Sequence, residues 1–410
     1  MSVNLAALAE LVPMKSVLVL GGDGFCGWPT ALHLSAHGYR VGILDNLSRR
    51  HIDDELSAGS LSPISSVRQR LDAWRDVSGK EIEYFYVDVA RDYAGLRSAL
   101  ESFAPDAVVH FAEQRSAPYS MTNSAHKQYT VNNNIPGTNN LMACIVEIAA
   151  DIHVVHLGTT GVYGYATSGI EVPEGYLDVL VKGADGELHE RSILYPTAPG
   201  SVYHMTKSMD QLIFQYYAQN DRIRVTDLHQ GIVWGTQTEE TRRHDALINR
   251  FDYDGDYGTV LNRFLVQAVV GHALTVHGTG GQTRAFINIQ DTVRCVRLAV
   301  DNPPARGDRV KIFNQVAETM TVSTLAAMIA EMTGARIAHV DNPRNEAAEN
   351  ELRMSNKGFV ALGLKPILLE EQLFNETMEI VARYKSRFNP AVVAARSLWT
   401  RDNLPGIVKE

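Results

Sequence analysis

The sequence predicts an α/β protein, a doubly wound parallel sheet with a smaller C-terminal α/β domain for a substrate. Three observations predict it. From Lys15 to about Val155, short β-branched and leucine runs alternate with helical stretches. The first run ends in a glycine-rich turn, and after about residue 229 the alternation loosens. Strands separated by helices imply right-handed βαβ crossovers and hence a parallel sheet.

The elements follow in order. Ser16–Leu20 is a continuous apolar run, as in a strand buried on both faces. A helix over Pro29–His37 and a strand over Arg40–Leu44 come next. Further strands are expected at Ile82–Val87, Ala107–Phe111, His153–Leu157 and Arg224–Leu228. Two insertions interrupt the pattern. Leu47–Lys80 carries a helical stretch at Val67–Val77, and Ser168–Ser201, rich in Gly, Pro and acids, is expected to cover a site. Leu261–Val270, Val322–Met332 and Glu370–Tyr384 read as helices of the second domain. The expected division is an N-terminal extension (1–14), a cofactor domain (15–228, with elements from about 285–315), a substrate domain (229–390) and a C-terminal tail (391–410).

Composition narrows the function. The 410 residues are 45% hydrophobic and 21% charged, which is globular. A net charge of -9 lacks the basic footprint of a nucleic-acid binder. Cys26, Cys144 and Cys295 are scattered, with no CxxC pair, so neither a disulfide framework nor a metal site is expected, and the compartment reads as a reducing cytoplasm. The opening MSVNLAALAELVP lacks a signal peptide's basic start, and no apolar run is long enough to span a membrane.

Gly21-Gly22-Asp23-Gly24-Phe25-Cys26-Gly27 joins a predicted strand to a predicted helix. Glycines at 21, 24 and 27 allow a tight turn, close approach to a pyrophosphate and close helix–sheet packing, the Rossmann-type arrangement. Asp45 ends the next strand, where an acid accepts hydrogen bonds from both ribose hydroxyls and repels a 2′-phosphate. That favours NAD; Arg49 and Arg50 leave NADP as the lesser alternative. Asp88, closing the third strand, is placed for the adenine.

Tyr203 and Lys207 sit at i and i+4, one face of a helix. A neighbouring ammonium lowers a phenol's pKa toward the phenolate that a general base needs. Thr159, after the strand His153–Leu157, is the expected hydroxyl partner, with Thr160 the alternative.

These features together resemble the extended short-chain dehydrogenase/reductase family of nucleotide-sugar epimerases and dehydratases. Within it, the resemblance narrows to the UDP-sulfoquinovose synthases. It is carried by GGDGFCGWPTALHLS (21–35), DNLSRR (45–50), HFAEQRSAPYSM (110–121), NNNIPGTNN (132–140), YHMTK (203–207), LNRFLVQAVVGHALTVHGTGGQTR (261–284) and NPR (342–344). The resemblance implies tightly held NAD and a nucleotide-sugar substrate, UDP-glucose or a relative. It implies oxidation at C4, loss of water across C5–C6, sulfite addition at C6 and reduction at C4. It makes Tyr203 the base, Lys207 its tuner, Thr159 a sugar-hydroxyl ligand and His204 a further catalytic candidate. Cofactor contacts are implied for Gly21, Gly24, Phe25, Cys26, Gly27, Asp45, Asn46, Arg50, Asp88, Val89, Phe111, Ala112, Asn134, Gln230 and Val233. Substrate contacts are implied for Arg115, which would receive sulfite, and for His229, Thr259, Asn262, Gln282, Thr283, Arg284 and Arg344. A homodimer is implied, with the helices at about 126–150 and 203–220 as its interface.

Several positions depart from the synthase pattern. His229 replaces an Asn, Asn288 and Gln290 replace an acid and a base, Asn350-Glu351-Leu352 replaces an aromatic stretch, and Val162 replaces a Glu. Thr160 and Gly161 stand where 4,6-dehydratases carry an Asp-Glu pair, so elimination here must use other groups. Two alternatives stay open: a 4-epimerase or related enzyme acting on another nucleotide sugar, and a silent NAD-binding scaffold.

Overall fold

The computed structural model describes residues 15–164, 169–344, 346–369, 375–397 and 399. The expected extension at 1–14, the start of the second insertion at Ser168, the first turn of the helix expected from Glu370, and 401–410 lie outside the described residues.

Seven parallel strands form the central sheet: β1 (Ser16–Leu20), β2 (Arg40–Leu44), β3 (Ile82–Phe85), β4 (Ala107–His110), β5 (His153–Thr159), β9 (Arg224–Gln230) and β13 (Lys311–Gln315). Their spatial order is β13-β9-β5-β4-β1-β2-β3. The two wings diverge from β1 and β4, which leaves a crevice at the carboxyl ends of those strands. The central strands β1 and β4 are buried on both faces, β1 by an unbroken apolar run, whereas β5 and β9 also bury polar groups such as His156 and Asp227. On β1, Val17 and Val19 enter one core with Trp28 and Ile43, while Leu18 and Leu20 enter the opposite core with Phe103 and Val108.

Helices α1 (Gly27–Ala36), α4 (Tyr93–Phe103), α6 (Ser124–Glu147), α7 (Val202–Asn220) and α9 (Ile289–Asp301) flank this sheet. The insertion after β2 folds into α2 (Ser48–Leu56) and α3 (Val67–Ser78), with the short α5 (Ala117–Ser120) following β4. Ser66 caps α3 in a reciprocal capping box with Gln69.

The smaller unit contains a sheet in which β10 (Ile232–Trp234) pairs parallel with β12 (Gly281–Asn288), and β12 antiparallel with β14 (Glu318–Thr321). Beside it, β11 (Leu274–His277) pairs with β15 (Ile337–Val340). Helices α8 (Val260–Val269) and α10 (Val322–Thr333) close a separate core around Trp234, Phe264, Leu265 and Phe286. Among the described residues no helix is long and apolar enough to cross a membrane.

Two expectations need correction. The second insertion contributes β6 (Glu171–Val172) and a hairpin, β7 (Tyr176–Lys182) and β8 (Leu188–Leu194). The hairpin packs on the edge of the main sheet, with Tyr176 donating to the Val310 carbonyl at 2.8 Å and Arg309 to Ser192 at 3.1 Å. None of its described residues lines the central cavity. The segment read as a tail also turns back into the molecule. The Gly255 amide bonds the Val392 carbonyl, the Trp399 amide bonds that of Pro343, and Ala395, Ser397 and Trp399 line the cavity.

Candidate active site

The cavity begins at the glycine turn. Gly21 has φ +78°, and a Cβ there would lie 2.7 Å from the Phe111 carbonyl carbon. A Cβ on Gly27 would lie 2.0 Å from the Gly21 oxygen. These contacts bring β1, β4 and the start of α1 together with no side chain between them, leaving a cradle for a pyrophosphate.

Asp45 lies beside this cradle. Its two carboxylate oxygens accept from the amides of Asp23 (2.9 Å) and Leu47 (2.7 Å), and each keeps a lone pair for a ribose hydroxyl. Burial, with the Asp23 charge adding to it, pushes the Asp45 carboxyl up to about 6. Both arginines behind the NADP alternative are engaged elsewhere. Arg50 forms a fork on Asp23 at 2.7 and 2.8 Å; Arg49 pairs with Asp53 and Asp252 and stacks 3.7 Å from the Tyr257 ring centre. The cradle and acid fit NAD.

Tyr203, the candidate base, is positioned by the start of one helix and the end of another. Ser201 caps α7 by accepting the His204 amide at 3.1 Å, and the Tyr203 amide donates to Ser120 at the end of α5. Thr159, the last residue of β5, hydrogen bonds to Tyr203. Lys207 Nζ donates to the Leu157 carbonyl at 2.6 Å and pairs with Glu113 at 2.7 Å. The expected near-neutral phenol is not the resting state. Burial pushes Tyr203 up to about 12, and Glu113 offsets part of the depression exerted by Lys207.

His204 faces the same space. Burial, reinforced by Arg344 and Arg284, pushes its imidazole down to about 3, so the ring is neutral in the physiological range. A Cβ on Gly161 would meet that ring at 2.4 Å. An imidazole therefore occupies the space that a dehydratase-type Glu at 161 would need.

The far end of the cavity is cationic. Arg263, Arg284 and Arg344 line it with His277, whose ring is pushed down to about 3 by burial and then by these three arginines. Arg284 pairs with Glu346 at 2.6 Å, and Arg344 lies 5.0 Å from the ring centre of Trp399. Arg263 is 8% exposed, and its Nε has no hydrogen-bond partner among the described residues. Burial and Arg344 push its guanidinium down to about 10. Such an end suits a diphosphate.

Of the residues expected from sequence, the cavity collects Gly21, Gly24, Phe25, Cys26, Gly27, Asp45, Asn46, Asp88, Val89, Phe111, Ala112, Gln230 and Val233. It also collects Thr159, Tyr203, His204, Lys207, Arg115, Thr259, Gln282, Arg284 and Arg344. Five expected residues do not line it, each for a local reason. Arg50 is held by Asp23. Asn134 is buried against the Gln114 backbone and Thr206, and its neighbour Asn133 lines the wall instead. Thr283 points away from Gln282 and Arg284, as strand alternation requires, and bonds Asn350. Asn262 lies off the α8 face that presents Thr259 and Arg263. His229 is buried beneath the floor on Asp227, Tyr163 and Gln211.

Sequence reasoning missed Arg263, Glu113, His277 and Trp399. A cation amid the apolar residues of α8 was the available signal for Arg263; nothing local marks Trp399.

Comparison with known proteins agrees with this geometry. Residues 17–314 match the model of the NAD dependent epimerase/dehydratase family. The chain is 43% identical over 392 residues to the chloroplastic UDP-sulfoquinovose synthase of Spinacia oleracea, covering 94% of this chain and 80% of the relative. It is 37% identical to the UDP-sulfoquinovose synthase of Sulfolobus acidocaldarius, over 85% of this chain and 88% of that one. Among solved structures, the UDP-glucose 4-epimerase of Thermus thermophilus in complex with NAD aligns with TM-score 0.64 at 19% identity, over 91% of this chain and all of that one. A dTDP-glucose 4,6-dehydratase from Streptomyces venezuelae aligns with TM-score 0.64 at 19% identity, over 91% and 97% of the two chains. The chain belongs to the NAD-dependent epimerase/dehydratase family, the extended short-chain dehydrogenase/reductases, and within it groups by similarity with the UDP-sulfoquinovose synthases.

Proposed function

We propose that the enzyme converts UDP-glucose and sulfite into UDP-sulfoquinovose. The observation carrying this reading is one shared wall: Glu113–Pro118, from the stretch most distinctive of the synthase relatives, lines the same cavity as Thr159, Tyr203 and Lys207.

Bound NAD supplies reversible hydride acceptance from C4 of the sugar. The chain's own residues do the rest. Arg263, Arg284 and Arg344 hold the diphosphate, Thr159 holds the sugar hydroxyl, and Tyr203 takes and returns its proton. A C4 ketone acidifies the C5 proton; the neutral His204 ring takes it and passes it to the C6 hydroxyl, which leaves as water. Bisulfite then adds through sulfur at C6 beside Arg115, which is held at 2.6 Å by Asp252 while staying one-third exposed. Its proton goes to C5, and the hydride and proton taken from C4 and its hydroxyl are returned. The barrier is lowered mainly by orientation and proton transfer.

The test is incubation of purified protein with UDP-glucose and sulfite, read by mass spectrometry. A product heavier by sulfite less water supports the proposal. An isomer of unchanged mass makes the enzyme a 4-epimerase, and no conversion refutes both.

The protein is further proposed to be a homodimer joined through α6 and α7. Met205, Met209, Leu212 and Tyr216 form an exposed apolar stripe on α7 at helical spacing. A reducing cytoplasmic setting suits the three cysteines, all buried and free.

A further inference from the structure

Behind Lys207, reached from the cavity wall at Glu113, lies a chain of buried ionisable groups that the proposed reaction does not use. His156, on β5, is completely buried. Its Nε2 lies 2.9 Å from Glu113 Oε1 and 3.0 Å from Lys207 Nζ. On the other side its Nδ1 lies 2.8 Å from Asp227 Oδ1 on β9. Asp227 Oδ2 continues to His229 Nε2 at 3.0 Å, and His229 Nδ1 meets the Tyr163 hydroxyl. Asp210 on α7 stands 3.6 Å from His156 Nε2, and the His110 ring on β4 lies 5.6 Å from the His156 ring.

One imidazole nitrogen is thus within hydrogen-bond distance of both an acceptor and a donor. With a proton, Nε2 donates to Glu113. Without one, its lone pair accepts from the Lys207 ammonium. The same ring position serves both states, so the proton moves with little rearrangement of heavy atoms. The surroundings are paired: Asp227 and Glu113 flank the imidazole, and Glu113 also holds Lys207.

We propose that His156, positioned by Glu113 and Asp227, is the internal acceptor for the proton that Tyr203 must lose before it can act as a base. The transfer balances. The phenol proton passes to Lys207 as Lys207 gives one of its own protons to the Nε2 lone pair of neutral His156. A phenolate and an imidazolium result, the ammonium is unchanged, and no proton enters solvent. Hydride return at C4 reverses the transfer. His156 and Glu113 act through Lys207 and are positioning residues. The His156 shift sets the pH at which the acceptor is available. Burial and Lys207 act to lower it, but Asp227 and Glu113 prevail and raise it to about 9, so the neutral, accepting ring predominates only on the alkaline side of that value. Asp210 is pushed up to about 8 by burial and Glu113, so it is largely protonated near neutrality.

The proposal rests on the redox role of Tyr203 and is tested in two arms, one of which needs no sugar. In the kinetic arm, NADH formation on mixing holoenzyme with UDP-glucose is followed against pH. The wild-type rate should rise along an acid limb belonging to His156, well above the ordinary histidine range. Glu113→Gln should move that limb down by about one to three pH units. His156→Gln should abolish it and lower the plateau by about 10²-fold, with KM and bound NAD unchanged. A raised KM with the limb in place would make the cluster structural and overturn the proposal. In the second arm, ¹⁵N-histidine spectra of wild-type holoenzyme, with His156 assigned by the Gln variant, are titrated from about pH 6 to about pH 10. His156 should titrate in the upper half of that range, and at lower pH in Glu113→Gln. A single protonation state throughout would sink the relay whatever sugar the enzyme uses. Absence of sulfonated product with His156 titrating as expected would instead refute the reaction.

Discussion

Arg263→Ala should weaken nucleotide binding and at the same time stabilise the substrate-free protein. The guanidinium is almost fully buried, and burial with Arg344 lowers its pKa from 12.5 to about 10. For a base, a folded-state pKa below the unfolded one means that the charged form costs stability at every pH below about 10. A shift of this size corresponds to about 3 kcal/mol. Alanine removes that cost but loses the burial of the aliphatic stem and the guanidinium contact 5.8 Å from the Phe264 ring centre, together worth about 1 kcal/mol. The net expectation is a gain of about 2 kcal/mol without ligand, a rise of a few degrees in Tm. With UDP-glucose the sign reverses. One charge-assisted bond to the diphosphate, at about 1.5–3 kcal/mol, is lost, so KM rises by about 10- to 100-fold. Thermal denaturation with and without UDP reads both effects: the variant should start higher and gain less on adding UDP. A variant destabilised by about 2 kcal/mol or more, with its UDP response intact, would refute the reasoning.

Four further outcomes are expected. Tyr203→Phe should keep bound NAD and lose about 10²–10⁴-fold in sugar-dependent NADH formation, measured by absorbance. His204→Gln should still form NADH with UDP-glucose but yield no sulfonated product by mass spectrometry, because C4 oxidation precedes the step assigned to His204. Retention of NAD should fall as pH drops through about 6, where the Asp45 carboxylate takes up a proton and can no longer accept from both ribose hydroxyls; cofactor release on titration checks this, and Asp45→Asn should lose the pH dependence. Trp399→Ala removes the ring beside Arg344 and should raise KM for UDP-glucose several-fold with little change in kcat, by steady-state assay.

Much of the site was legible because its residues are close in sequence to strand ends. Gly21–Gly27, Asp45 and Asp88 follow successive strands of one wing, so the βαβ rule alone delivers them to one crevice. Thr159 and the Tyr203–Lys207 pair follow from a strand terminus and an i, i+4 face. The expected residues that do not line the cavity are set apart by side-chain direction and local partners. Thr283 and Asn262 are each one residue from a cavity residue, and strand alternation or helical phase turns them away. Arg50 and Asn134 lie in the right segments but are claimed by Asp23 and by Gln114 and Thr206.

The sequence by itself determined the parallel sheet, the glycine turn beside Asp45 and the helical pairing of Tyr203 with Lys207. These depend on local patterns: buried apolar runs, glycines where no Cβ fits, and an i, i+4 helix face. Only the tertiary structure decided which charges meet. Lys207 was expected to lower the phenol, yet Glu113 from the β4 loop and His156 from β5 are folded onto it, and burial holds the resting phenol near 12. Trp399 and Arg344, and Arg344 and His277, likewise converge from distant segments. Burial and charge pairing depend on long-range packing, which a pattern confined to neighbouring residues does not contain.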